Sequence, residues 1–501
     1  MFDSIKKISK GTAVYSIGQV APKLVGLILL PFLTNTKYLS PADYGKLSML
    51  EASTALLIAL FGFGFNYALE RWYFDKAYID KRKSVIFTLL VATIFLTVVF
   101  WGFLSVFSEQ LSMFLIERAD WTKMLNLMFL CAALESIMLL PTTLLRLEEK
   151  PVLFVSSNIF RFIIYLVLTL IFLVVFRKGL EGIYSARAIS LVFILLILGI
   201  YLFRNISFHF EWKALREMFI YRLPLVLSTI SYIVFNITDR FSLRVLSESS
   251  FTDVGVYSLG YSMVNSVKVV VLASIWLSLR PMIYKMMDDP QNKRFYSKIM
   301  KYMAFCLVFI LLAITVFGQE VILVLARNKI YHAAFYIIPI LSVALIFDTL
   351  KEISQVIGLS IVKRTGIIAI TMIIATIINI CINIILIPKL NIYGAALSAV
   401  ISQLFFFVVI YIFSQKFYHV PYELKRILIM TAVFIVLGGL AILTSGLWIV
   451  VRIPVKLLII CSFPFLLYIF KFFERVEITR IKDILRKLRN PVELIRIISQ
   501  E

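Results

Sequence analysis

Four charged side chains stand deep inside apolar stretches, where charge is costly: Lys23, Glu135, Lys268 and Asp348. At the centre of a membrane helix each costs about 2.5–3.5 kcal/mol on insertion scales, so such residues face a cavity or pair with one another. A lysine so placed can hold an anion, and a carboxylate can hold a proton or a sodium ion. Arg161, Arg187, Arg240, Glu51 and Asp239 also fall within predicted helices. Arg161 and Arg187 read as lying nearer the ends of theirs, where they either extend a cationic path or anchor at the interface. Arg240 and Arg244, four apart, share a helix face, and with Asp239 they read by default as a pin to nearby loops. Asp348 has Lys351 and Glu352 at three- and four-residue spacing, either a self-neutralised cluster or an ion-coupling site; neutralisation is favoured because one helix supplies its own counter-ion.

Enzyme chemistry finds little footing. His209, His332 and His419 are scattered without metal-ligand spacing, and Asp288-Asp289 before Pro290 reads as a turn-former. Cys131, Cys306, Cys381 and Cys461 lie inside apolar runs without CxxC spacing, so they read as packing residues, and neither a metal nor a cofactor is expected. A GxxxxGK[ST] loop is absent from the sequence.

The elements that must position these charges are membrane helices. The chain is 61% hydrophobic and 16% charged, with a mean hydropathy of +0.94, against roughly 25% charged residues in a soluble domain. Apolar runs of the roughly 20 residues needed to cross the bilayer recur throughout. They predict an all-α membrane protein of fourteen transmembrane helices near 12–36, 47–70, 84–107, 122–146, 152–176, 182–204, 217–246, 252–283, 298–320, 334–358, 365–388, 391–415, 425–446 and 452–472. With a cytoplasmic N-terminus, about 33 Lys and Arg lie inside and about 11 outside, which places both termini in the cytoplasm. The formal +22 would suggest nucleic acid in a soluble protein, but orientation in a bilayer explains it better and no nucleic-acid partner is expected. Lys6, Lys7 and Lys10 precede a long helix without a small-residue cleavage site, so the N-terminus reads as uncleaved. The end of the chain, with Ile478, Ile481, Leu485 and Leu488 among Lys and Arg, reads as a basic amphipathic helix, either an orientation signal in solvent or a lipid or partner anchor.

An internal repeat organises the helices. Asp43-Tyr44-Gly45 opens the second and Asp253-Val254-Gly255 the eighth, while Ile183-Tyr184-Ser185-Ala186 and Ile392-Tyr393-Gly394-Ala395 open the sixth and twelfth; both offsets are about 210 residues. Two six-helix bundles, 1–210 and 211–416, are thus expected to relate by a pseudo-two-fold along the membrane normal, with an extra helix pair at 417–472 and the basic tail at 473–501. Two such bundles enclose a central cavity that can open to either side, as transporters do.

The motifs carry a resemblance. Leu30-Pro31-Phe32-Leu33-Thr34 through Leu39-Ser40-Pro41-Ala42-Asp43-Tyr44-Gly45 is similar to the first-helix signature of the polysaccharide transporters of the MOP superfamily. Arg222-Leu223-Pro224-Leu225, Asp239-Arg240-Phe241 and Val254-Gly255-Val256-Tyr257-Ser258-Leu259-Gly260-Tyr261 resemble the seventh and eighth helices of O-antigen and capsule flippases. Asn383-Ile384-Ile385-Leu386-Ile387-Pro388 with Tyr393-Gly394-Ala395-Ala396 extends the likeness across about residues 12–415. The resemblance implies export of an undecaprenyl-diphosphate-linked repeat unit through a cationic lumen, with a polysaccharide polymerase and a chain-length regulator as possible partners. Lipid II flippases and multidrug exporters are relatives, so the cargo stays open between them; a membrane glycosyltransferase or polymerase would need longer catalytic loops.

Given that architecture, the first, second, seventh and eighth helices are expected to line the cleft. Lys23 and Lys268 are the first candidates to hold the diphosphate, the competing reading being that they snorkel or pair with carboxylates such as Glu135. Arg161, Arg187 and Arg240 could extend the path. With no nucleotide-binding loop, ion coupling is expected, and Glu51, Glu135 and Asp348 are the candidate proton or sodium sites. Tyr15, Tyr232, Tyr257 and Tyr261 are the aromatics on cleft helices. Seven helix-embedded bases against five acids favour an anionic cargo over the cations of multidrug exporters.

Overall fold

A computed structural model describes residues 25–474, apart from 119, 120, 273, 274, 277, 278, 280, 281, 284, 285, 288, 290, 291 and 363. Lys23, Tyr15, the N-terminal lysines and the basic tail beyond Glu474 lie outside the described residues. The described end of a first helix, α1 (25–33), is followed by 13 helices long and apolar enough to cross a membrane. They are α2 (Pro41–Gly62), α3 (Ile79–Val106), α4 (Thr122–Leu147), α5 (Pro151–Val175), α6 (Gly179–Arg204), α7 (Trp212–Leu246), α8 (Phe251–Leu272), α9 (Asn292–Leu325), α10 (Lys329–Ser360), α11 (Thr365–Leu390), α12 (Ile392–Phe417), α13 (Leu424–Gly446) and α14 (Ile449–Ile469). This is the all-α, fourteen-helix architecture that the apolar runs predict. Short helices at Phe65–Trp72 and Ser108–Ile116 were not legible, because neither is long enough to register as a span.

The start of α2 shows how the repeated motif works. Ser40 caps the helix by a reciprocal pair with Asp43, its hydroxyl accepting from the Asp43 N–H at 3.1 Å while the Asp43 carboxylate accepts from the Ser40 N–H at 3.3 Å, and Pro41 fills the first turn where its missing N–H costs nothing. At the equivalent start of α8, the Ser247 hydroxyl donates to Asp253. The two repeat glycines then meet: a Cβ on Gly45 would lie 1.8 Å from the Phe251 carbonyl oxygen, and one on Gly255 would lie 2.8 Å from that of Pro41. No side chain fits, so α2 and α8 cross in backbone contact at the end where both begin.

The N-terminal helices pack as α2 on α4, α4 on α6 and α5 on α6; the C-terminal ones as α9 on α10, α10 on α12 and α11 on α12. The halves meet through α2 against α8 and α7. α13 and α14 fasten to α9 from outside. α7 reaches across both halves. Ala214, Met218 and, just past Pro224, Val226 join a cluster with Phe63, Phe65, Leu89 and Leu144, while Phe235 farther along packs with Ile368, Met372 and Phe406 of α11 and α12. Large apolar side chains such as Phe95, Phe103, Leu196, Ile200 and Leu458 point outward, a surface tolerable only against lipid.

A charged cavity between two repeated halves

A cavity of about 940 Å³ lies between the halves, lined by Tyr44, Ser48 and Glu51 of α2, Tyr232, Asn236 and Arg240 of α7, Ser258, Tyr261, Asn265 and Lys268 of α8, Trp276, and Glu352 of α10. From Ser258 to Leu272 it follows α8 for roughly 21 Å at helical rise. The Gly45–Gly255 crossing closes one end. Further contacts between halves reinforce that end: Tyr44 meets Tyr331 edge to face at 5.6 Å, the Thr34 hydroxyl accepts from the Arg327 N–H at 3.2 Å, and Arg244 reaches Glu117 at 3.4 Å.

Lys268 faces the cavity, a fifth of its side chain exposed. Its ammonium donates to Asp348 and approaches the Tyr232 hydroxyl at 3.3 Å. The other Asp348 oxygen accepts from Lys351, itself buried and 4.5 Å from the centre of the Phe406 ring. Asp348 thus sits between two ammoniums, of which only Lys268 lines the cavity, with Glu352 in the same wall. Arg240 is held differently. Its Nε donates to the Ser258 hydroxyl at 3.1 Å and its guanidinium lies 4.6 Å from the Tyr261 ring centre; among the described residues it makes no ion pair, so its charge is available to an anion.

Glu51 lines the central cavity and, with Ala55, an adjoining one of about 470 Å³ inside the N-terminal half. There Glu135 accepts from Arg187 through two nitrogens, at 2.8 and 3.4 Å, and Arg161 stands 3.7 Å away. Glu135 and Arg161 also line a third cavity of about 320 Å³ that ends at Thr142 and Arg146. Arg161 is close to the middle of α5 rather than near its end, and both arginines turn inward to Glu135, because a guanidinium at that depth is costly against lipid and a carboxylate offsets it. The carboxylate expected as a partner for Lys268 is thus taken by arginines, and Asp348 holds the lysine instead.

Asp239 does not share the cavity wall with its neighbour Arg240. It is buried and accepts from the Tyr257 hydroxyl at 2.7 Å and from the Asn379 and Asn383 amides at 3.0 Å each. Of the three residues read as a pin, Arg244 serves as one, Asp239 ties α7 to α8 and α11, and Arg240 lines the cavity. Tyr232 and Tyr261 line it too, whereas Tyr257 is engaged with Asp239. Asn383 entered the sequence reading only within a motif of resemblance and Asn379 not at all, although their four-residue spacing within an apolar helix was the available signal. The cationic lumen implied by resemblance is also modified: the described lining pairs Arg240 and Lys268 with Glu51 and Glu352, a balanced set, because two of the remaining bases cluster around Glu135.

Fold and cavity together define a polytopic membrane protein built as two helical bundles around a polar chamber. Solved structures share this fold. The lipid II flippase MurJ, in an inward closed conformation, aligns over 91% of this chain and 99% of its own with a TM-score of 0.68 at 15% identity. An inward-facing multidrug resistance MATE family transporter of the MOP superfamily aligns over 81% of this chain and 97% of its own, with a TM-score of 0.64 at 15% identity. An outward-facing one aligns over 82% and 95%, with a TM-score of 0.58 at 15% identity. No curated protein sequence matches. Residues 8–287, more than half of the chain, match the sequence profile described as polysaccharide biosynthesis protein, and the chain belongs to that family.

Proposed function

We propose that this protein is a flippase that moves an undecaprenyl-diphosphate-linked oligosaccharide repeat unit from the cytoplasmic to the periplasmic leaflet of a bacterial inner membrane. The observation that carries the reading is Arg240, an arginine without an ion-pair partner among the described residues, in the wall of a chamber between two repeated halves, in a chain of the polysaccharide biosynthesis family. A diphosphate cannot enter a low-dielectric interior unpaired. Arg240 offers it a guanidinium already oriented by Ser258 and Tyr261, and Lys268 offers an ammonium that a diphosphate oxygen can share with Asp348. Arg161 and Arg187 extend the positive path into the N-terminal half. The sugar lies against Tyr232, Tyr261 and Asn236. Opening of the Gly45–Gly255 seam with closure of the opposite end would release the head group to the other leaflet. Energy is supplied by a proton or sodium ion, for which Glu51, Glu135 and Asp348 are the candidates; Glu135 and Asp348 each already sit between two cations, with which the ion must compete.

The test is surface polysaccharide in cells that depend on this protein. Arg240→Ala and Lys268→Ala, inserted at wild-type levels, are each expected to abolish the polymer; Arg240→Lys should retain part of it. Normal polymer in both alanine variants contradicts the diphosphate role. Rescue of cells lacking a lipid II flippase would point to that cargo instead, and the balanced lining makes extrusion of cationic dyes the discriminating assay for a multidrug exporter.

A further inference from the structure

A second cavity of about 940 Å³ lies on the outside of the molecule, in the groove between α3 and the first turns of α7, and shares no lining residue with the central chamber. Its walls are apolar: Phe65, Val91, Phe95, Phe219 and Ile220 among them. Two cations, Lys213 and Arg216, line it as well, both on the first turns of α7. They stand near the membrane surface, and Ile220 lies roughly 10 Å farther along the helix axis. Both are exposed, and among the described residues neither forms an ion pair. The nearby carboxylates are engaged elsewhere: Glu211 with Lys81 at 3.0 Å, and Glu217 with the Tyr78 hydroxyl at 2.9 Å. The groove follows the seam between the halves, since α3 belongs to one and α7 continues into the other.

We infer that this groove binds an anionic phospholipid, its phosphate on Lys213 and Arg216 and its acyl chain along Phe95, Phe219 and Ile220. Apolar length with paired cations at one end is the complement of such a lipid. A zwitterionic lipid would fill the groove equally well but bring its own cation to the mouth; basic pockets between membrane helices select acidic head groups on this ground. The cargo is not the occupant, because its diphosphate is assigned to Arg240 in a chamber that this groove does not join. A lipid seated here touches both halves and would favour whichever arrangement keeps α3 and the start of α7 together.

The experiment uses the full-length protein in vesicles of phosphatidylcholine containing a trace of photoactivatable phosphatidylglycerol or photoactivatable phosphatidylcholine with the same chains. Phosphatidylglycerol is expected to label peptides containing Val91–Leu96 and Phe210–Ile220 at least fivefold more than phosphatidylcholine. The preference should vanish in Lys213→Gln/Arg216→Gln and persist in Lys213→Arg/Arg216→Lys, with helix content unchanged in both. Equal labelling by the two lipids, or a preference that survives the glutamine pair, overturns the inference. So does full competition by inorganic phosphate, which would mark a soluble-anion site. Head-group transport is read separately, so loss of lipid preference with intact surface polymer leaves the proposed cargo untouched.

Discussion

At the scale of single residues, three triads among the described residues each place one carboxylate between two cations: Glu135 with Arg161 and Arg187, Asp348 with Lys268 and Lys351, and Glu320 with Arg452 and Lys456. Removing the shared partner from such a buried group leaves uncompensated charge, a loss of about 3–5 kcal/mol. Asp348→Asn is therefore expected to lower the thermal unfolding temperature in detergent sharply, and adding Lys351→Met should recover most of the loss, since Lys351 is buried with no other ion partner among the described residues. An Asp348→Asn protein that melts like the wild type would contradict the pairing. The depth of Lys268, Glu135 and Asp348 was legible in the sequence because charge stands out in an apolar run. Their partnerships were not. Lys268 and Asp348 are 80 positions apart, and whether a lysine meets that carboxylate or Glu135 depends on which helices touch, a property of tertiary packing rather than spacing. Arg240 was legible as a candidate but its freedom from Asp239 was only half visible: adjacent residues diverge on a helix, yet the asparagines that claim Asp239 come from α11.

Among the elements, the seam between α2 and α8 and the fastening of α13 carry distinct expectations. The repeated Asp-x-Gly motif was visible as symmetry at an offset of about 210 residues, but that the two glycines touch one another follows only from the packing of the halves. Because a Cβ at Gly45 has no room, Gly45→Leu should separate α2 from α8 at that end. A cysteine placed at Ser258 in a cysteine-free background should then react several-fold faster with a membrane-impermeant thiol reagent; an unchanged rate would show that the seam is not what closes the chamber. α13 is tied at its start by Glu423, which contacts Lys298 at 3.0 Å and Lys301 at 3.6 Å and also pairs with Arg426. Burial raises the proton affinity of this carboxyl, but the hydrogen bond from Lys298 and the neighbouring positive charges outweigh it and hold Glu423 below the usual range. With the folded-state value depressed, its stabilisation is complete above the ordinary Glu value of about 4.3 and is lost as pH falls through the lowered one. Glu423→Gln should flatten the acid limb of thermal stability measured across that window; an identical limb would remove Glu423 from the fastening.

For the whole molecule, the sequence made the number of helices and their pairing into two copies plain, since lipid contact demands long apolar runs and duplication leaves matching motifs. Which wall residues converge was less plain, because a chamber between bundles is built from one face of each of several helices and the other faces are equally apolar. α7 illustrates the gap. Its residues up to Val226 pack on the N-terminal half and Phe235 packs on α11 and α12, so one helix spans the two bodies that would move in the proposed transport cycle. The chamber is proposed to receive a diphosphate-bearing head group at Arg240 and Lys268. The most direct test is translocation of an undecaprenyl-diphosphate-linked oligosaccharide in vesicles containing the purified protein, read as exposure of the sugar to an added glycosidase. Wild-type vesicles are expected to expose the cargo well above protein-free vesicles, and Arg240→Ala and Lys268→Ala vesicles to match the protein-free rate. Exposure that is no faster with the wild-type protein, or that proceeds undiminished in both variants, would contradict this role.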